Sequence, residues 1–128
     1  MNTINILKQL LKSVPEIKAV SLVSIEGLPI TSILQKGFSE KKIAVMTATL
    51  LALAERAALE MGKGAIEELY VKGSEGYIII LQAGPDAVLT VSTTANVQLG
   101  LIFMICKRTC EKISKLGNFE EYHNLARL

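Results

Sequence analysis

Nucleophilic catalysis usually joins a Ser or Cys to a His, and this 128-residue chain holds one histidine, His123, close to its C-terminus. Its two cysteines, Cys106 and Cys110, are four residues apart in a stretch that reads as helix, so they share one face, one turn apart. They read as two buried thiols, because a disulfide needs side chains aimed at each other and a metal needs more ligands. Acid–base work by paired carboxylates needs two placed acids. The only aspartate, Asp86, falls in a turn, and Glu67-Glu68 point to opposite faces if they sit in a strand. Gly62-Lys63-Gly64 closes a helix, whereas a phosphate-binding loop opens one with a longer glycine-rich run. Lys107, Arg108, Lys112 and Lys115, interrupted by Glu111, read as the solvated face of a helix rather than a nucleic-acid footprint. No catalytic residue, metal or cofactor is expected.

The composition points the same way. Half of the residues are hydrophobic, 20% are charged and the formal charge is +2, which excludes disorder. Aromatics are 5% with no Trp, so the core is aliphatic. The most apolar run, Val97 to Cys106, is half the ~20 residues of a membrane span and contains Gln98 and Gly100. The N-terminus carries Lys8 and Lys12 among its apolar residues, unlike a signal peptide. Cytoplasmic placement, no membrane insertion and no nucleic acid are the expectations.

The elements that must position any site follow from periodicity. Ile4, Leu7, Leu10, Leu11 and Val14 recur at helical spacing from a cap at Asn2 or Thr3, and Pro15 stops that helix. Ile17–Ile25 and Leu28–Gln35 read as strands joined by the two-residue turn Glu26-Gly27. Ser39 caps a long helix that Gly62 ends. Ile66–Lys72, Tyr77–Gln82 and Ala87–Ser92 read as three more strands in tight hairpins, the first an edge strand and the second a central one. Ala95–Leu116 reads as the last long helix, and Asn118 with Glu121 caps a short helical tail over 118–128.

The middle helix has too much apolar surface for one sheet. Ile43, Met46, Leu50, Ala54, Ala57 and Met61 form one stripe; Ala44, Val45, Ala48, Leu51, Ala52 and Leu59 form a second. One sheet face needs an apolar arc of only a little over ~100°. The helix must be buried on two sides, and the small alanines of the second stripe suit close approach of another helix. A second copy is the expected partner, meeting Ala44, Ala48, Leu51, Ala52 and Leu59 together with Leu69, Tyr70 and Val71 of the strand that follows.

With those residues placed, the chain resembles the Roadblock family, relatives of a dynein light chain. The resemblance covers Ile4 to Leu116, so 1–117 is expected to form the domain with 118–128 outside it. Its carriers are the helix ending at Val14-Pro15, the strand Ala19–Ile25 running into Gly27-Leu28-Pro29-Ile30, the Ala/Leu-rich helix ending at Met61-Gly62, the strands around Tyr77–Leu81, and Leu99-Gly100-Leu101. Glu26-Gly27 departs from the Asp-Gly often found there. The resemblance implies an α/β, more narrowly α+β, sandwich: a central five-stranded antiparallel sheet, the long middle helix on one face, the first and last helices on the other. It also implies dimers formed through the middle helix and the next strand, and binding of Ras-like small GTPases, whose GTP hydrolysis some bacterial relatives stimulate.

Three readings follow. One is a homodimeric platform for a small GTPase, contacted through the polar stripe Lys42, Thr49, Arg56 and Lys63, of which pairing sets two copies side by side. The others are a structural subunit of a larger assembly without a GTPase, and a small-molecule sensor. Nothing in the sequence specifically supports Arg56 as an arginine acting in trans.

Overall fold

The computed structural model describes residues 2–116. Helix α1 (Thr3–Ser13) starts at Asn2, whose side-chain oxygen accepts the Asn5 N–H at 3.0 Å, and ends at Val14 in front of Pro15. Strands β1 (Ile17–Ser24) and β2 (Pro29–Ile33) follow, then helix α2 (Glu40–Glu60), strands β3 (Leu69–Gly73), β4 (Gly76–Gln82) and β5 (Ala87–Thr94), and helix α3 (Leu99–Leu116). The five strands form one antiparallel sheet in the order β2-β1-β5-β4-β3. The fold is the expected α+β sandwich.

Alternation of side chains along the strands divides the core in two. On one face, Leu22, Ile79, Leu89 and Val91 meet Leu7 and Leu10 of α1 and Phe103, Cys106 and Ile113 of α3. On the other, Val23, Ile80 and Val88 meet Ala44 and Leu51 of α2. The second cluster is much the smaller.

Several expectations need correction. The β1–β2 link is four residues, Ile25-Glu26-Gly27-Leu28, held by the Gly27 N–H donating to Ser24 O at 3.0 Å and the Ser24 N–H to Leu28 O at 2.8 Å. Gly27 does take the positive φ, +92°, but in a four-residue link rather than a primed two-residue turn. Ile66, Glu67 and Glu68 precede β3, which starts only at Leu69 opposite Ile80. β5, not β4, is the middle strand; β4 lies one place from the edge, where Ile78 stays 42% exposed. α3 begins at Leu99, four residues later than the periodicity suggests. The tail expected over 118–128 lies outside the described residues.

Candidate functional site

Ser39 caps α2 as expected, its hydroxyl accepting the Lys42 N–H at 3.2 Å. The helix ends where Gly62 turns to φ +71°; the Gly62 N–H donates to Leu59 O and the Lys63 N–H to Ala58 O at 2.7 Å. That pair of bonds is a Schellman closure, so Gly62-Lys63-Gly64 satisfies helix carbonyls and leaves no cradle for phosphate.

Between these ends the helix is held unevenly. Its N-terminal half is tied to the sheet by hydroxyls: Thr47 Oγ1 and Thr90 Oγ1 share a hydrogen bond of 2.7 Å. Ser32 donates to Glu40 Oε1 at 3.0 Å, so the 2.8 Å bond between Ser32 and buried Ser21 is donated by Ser21. Ala44, Thr47 and Leu51 are the buried positions of α2. Ala54 and Ala58, which continue the same helical phase for two more turns, are only partly covered. The helix packs over β1, β2 and β5.

The helix is open on the flank of the first apolar stripe, where Met46 is 60% exposed and Met61 75%, with Leu50 between them and Leu53, 62% exposed, beside them; Val45 and Leu59 of the second stripe are exposed on the other flank. Below this flank, the sheet face under β3 and β4 is also bare: Val71 and Ile78 pair across the strands and are each 42% exposed. Between helix flank and sheet lies an apolar cavity of about 330 Å3, bounded by Ile43, Met46 and Leu50, by Ile78 and Ile80, and by Phe38 of the loop entering α2. β3 is an edge strand of the sheet beside it.

The residues expected at a dimer contact therefore separate. Ala44 and Leu51 are spent in the chain's own core, because the sheet takes the small alanine and the first leucine of that phase. Ala48 is half-buried, with the backbone of Gly27 close above it. Ala52 and Leu59 are exposed, but on the flank opposite the cavity. Leu69 is half-buried against Ile80, while Tyr70 and Val71 are exposed on the edge strand. Tyr70 turns to the other sheet face, its ring centroid 6.0 Å from those of Tyr77 and Phe103.

The polar stripe is brought together. Lys42, Thr49 and Arg56 are exposed along the outer ridge of α2, and Lys63 continues their seven-residue spacing past the helix end. Seven residues are nearly two turns, so the three helical positions align within ~20° per step over ~21 Å. Arg56 Nε contacts Glu60 Oε1 at 3.1 Å, with both side chains mostly exposed.

Cys106 and Cys110 are buried free thiols. Desolvation pushes each up to about 12, with the nearby Cys106 and Glu111 adding to the shift at Cys110. Among the described residues no group of three or more His, Cys, Asp and Glu side chains is placed to hold a metal, and no helix is long and apolar enough to cross a membrane.

Sequence reasoning missed the hydroxyl ties Thr47–Thr90 and Ser21–Ser32–Glu40. The available clue was the presence of small polar residues at inward strand positions, where aliphatic ones would otherwise be used.

The comparisons agree with this geometry. The profile of the Roadblock/LC7 domain matches residues 3–93. MJ1340 of Methanocaldococcus jannaschii, an uncharacterized protein, is 35% identical over 100 residues, covering 78% of this chain and 87% of that one. MJ0310 of the same organism, also uncharacterized, is 34% identical over the same shares. The structure of Myxococcus xanthus MglB superposes with a TM-score of 0.81 at 23% identity, over 93% of this chain and 95% of that one. An MglB structure described as having a tetrameric arrangement gives 0.79 at 18% identity, over 88% and 85%. A Roadblock/LC7 domain from Streptomyces avermitilis gives 0.76 at 18%, over 83% and 89%. Profile, relatives and fold agree: the chain belongs to the Roadblock/LC7 domain family.

Proposed function

We propose that this protein is a homodimeric interaction platform that binds a Ras-like small GTPase and recruits or regulates it, without chemistry of its own. The observation that carries the reading is the open apolar flank of α2, Met46, Leu50, Leu53 and Met61, lying over a bare patch of sheet beside the edge strand β3. Apolar surface of this extent is expensive to leave in water and marks a protein contact. A helix flank next to an unpaired strand suits a second copy, which offers the same two features in reverse. The proposed interface adds that flank to the expected residues that are exposed, Ala52, Leu59, Tyr70 and Val71.

Pairing leaves the outer ridge of α2 uncovered. Lys42, Thr49, Arg56 and Lys63, duplicated by the twofold axis, are the proposed GTPase contact, in keeping with the membership of the family. The reduced thiols of Cys106 and Cys110 fit a cytoplasmic setting. Light scattering over a dilution series, followed by a binding screen of the dimer against small GTPases in both nucleotide states, tests the reading. A mass near twice 13.9 kDa and nucleotide-sensitive binding are expected; a dimer that binds none would leave it without its partner.

One observation favours the second reading, a subunit of a larger assembly. Ile25, Val45 and Leu59 are exposed and lie away from the cavity flank, and a similar MglB structure is described as tetrameric. A mass of four chains would favour it.

A further inference from the structure

The fold brings together basic residues from the two ends of the described chain. α1 and α3 lie side by side on one face of the sheet and share the surface they turn to solvent. On α1, Lys8 and Lys12 are exposed one turn apart, opposite the buried Ile6, Leu7 and Leu10. On α3, Lys107, Arg108, Lys112 and Lys115 are exposed, opposite or flanking the buried Ile102, Cys106 and Ile113. Glu111 is the only acid in either helix. Two helices thus hold six cations against one carboxylate, whereas the whole chain has a formal charge of only +2, so everything outside this layer is net acidic. None of the six makes an ion pair with a described residue. The N-terminal half of α3 adds apolar side chains to the same surface: Leu101 is 46% exposed and Met104 44%, on the ridge that Arg108 and Lys115 continue.

We propose that this layer is a docking face for an anionic membrane surface, with its cations against acidic headgroups and Leu101 and Met104 at the acyl boundary. Charge complementarity carries the choice of occupant. Acidic proteins are gripped most specifically by arginine forks, which pair with a carboxylate through two hydrogen bonds at once. Five of these six cations are lysines, compact charges on flexible stems, and they suit a surface of mobile headgroups. The layer is also broad, because neighbouring helices with axes ~8–10 Å apart set two rows of cations side by side. Exposed apolar side chains beside a basic cluster are the pattern of helices that lie on a membrane. No helix among the described residues is long and apolar enough to cross one, and the contact proposed is at the surface. α2 and its open flank lie on the opposite face of the sheet, so this docking needs neither the homodimer nor a GTPase and is compatible with both.

Flotation of the full-length protein with vesicles tests this, using phosphatidylcholine alone and phosphatidylcholine mixed with phosphatidylserine. Binding to the mixed vesicles at low salt is expected, with none to phosphatidylcholine alone. It should weaken at physiological ionic strength, where the screening length is ~8 Å. Each cation near an anionic surface is worth roughly fivefold in partitioning, so Lys12→Glu with Lys112→Glu should lower it by at least ~25-fold. Lys36→Glu with Lys41→Glu makes the same change of net charge at exposed positions on the α2 side and should alter it little. The chain has no Trp, so Met104→Trp supplies a single fluorescent reporter, and its emission should shift to the blue on the mixed vesicles. Failure to float with phosphatidylserine at low salt, an equal loss from both pairs of reversals, or an unshifted emission from bound protein overturns the proposal. Binding to soluble polyglutamate without binding to vesicles gives the face to an acidic protein and overturns it too.

Discussion

Thr47 on α2 and Thr90 on the middle strand share a 2.7 Å hydroxyl bond beneath the N-terminal half of the helix. It is a tie between the two layers made by residues that neither propensity nor hydropathy would choose, and it has a partner in the Ser21–Ser32–Glu40 chain nearly two turns earlier on the helix. A buried hydroxyl that loses its partner costs about 1–2 kcal/mol, whereas removing both can be nearly neutral. Thr47→Val is therefore expected to lower stability by about that amount, and Thr47→Val with Thr90→Val by clearly less than the sum of the two single changes. Urea denaturation of the three variants checks this.

Leu53 lies mid-flank on α2 and is exposed, so Leu53→Glu leaves the fold of one chain intact. In the proposed dimer it brings two carboxylates into an apolar contact. A central interface position changed this way typically costs on the order of 2 kcal/mol or more of association, roughly 30-fold in the dissociation constant. Light scattering across a dilution series should show the shift, with the circular dichroism spectrum unchanged. An unshifted dissociation constant would place the contact elsewhere.

Arg56→Glu reverses the charge at the middle of the outer ridge. Its pair with Glu60 is exposed and worth less than ~1 kcal/mol, so stability should move little. GTPase binding should fall at least tenfold and become less sensitive to salt, measured by titration calorimetry at two ionic strengths. Binding that survives the reversal would remove the ridge from the contact.

Burial keeps Cys106 and Cys110 protonated until pH approaches about 12, above the ordinary 9.0. In the folded chain neither should react with iodoacetamide at pH 8, because the thiolate is the nucleophile. Above pH 9 the unfolded chain loses these protons while the folded one retains them. Stability contributed by the neutral thiols is thus full below pH 9 and declines as pH rises from there towards 12. Mass spectrometry after timed labelling, and melting curves from pH 8 to 10.5, test the two statements.

The order of elements and the layering were legible because hydrophobic period changes clearly between α1, the strands and α2. The ends of α2 were legible for local reasons, Ser39 as cap and Gly62 as the left-handed closure. The face of α2 turned towards the sheet was not. Both stripes are apolar, and the buried phase contains Ala44 and Thr47, while the open one holds Met46, Leu50 and Met61. Hydropathy would assign the larger side chains to the core, and the short reach from α2 to strands bearing Ser21 and Thr90 reverses that preference. Glu67 and Glu68 were placed in β3 because alternation cannot show where pairing starts; that is decided by β4, whose Ile80 meets Leu69. The ridge Lys42, Thr49, Arg56 was legible as a ridge, since it needs nothing beyond the helical repeat.

The strand order carries a consequence for synthesis. β1 pairs with β2 and β3 with β4, so each hairpin is local and is available as soon as its own residues have left the ribosome. The two hairpins touch only through β5, which pairs with β1 on one side and β4 on the other. Until Ala87–Thr94 emerges, the nascent chain holds two separate hairpins and a two-sided helix that has only the first of them to lie on. Closure waits on the last strand, and the contacts it makes with β1 span about half the chain, which slows folding. During that interval the apolar flank of α2 and the edges of the two hairpins that β5 will join are open to a chaperone, or to a neighbouring nascent copy on the same message.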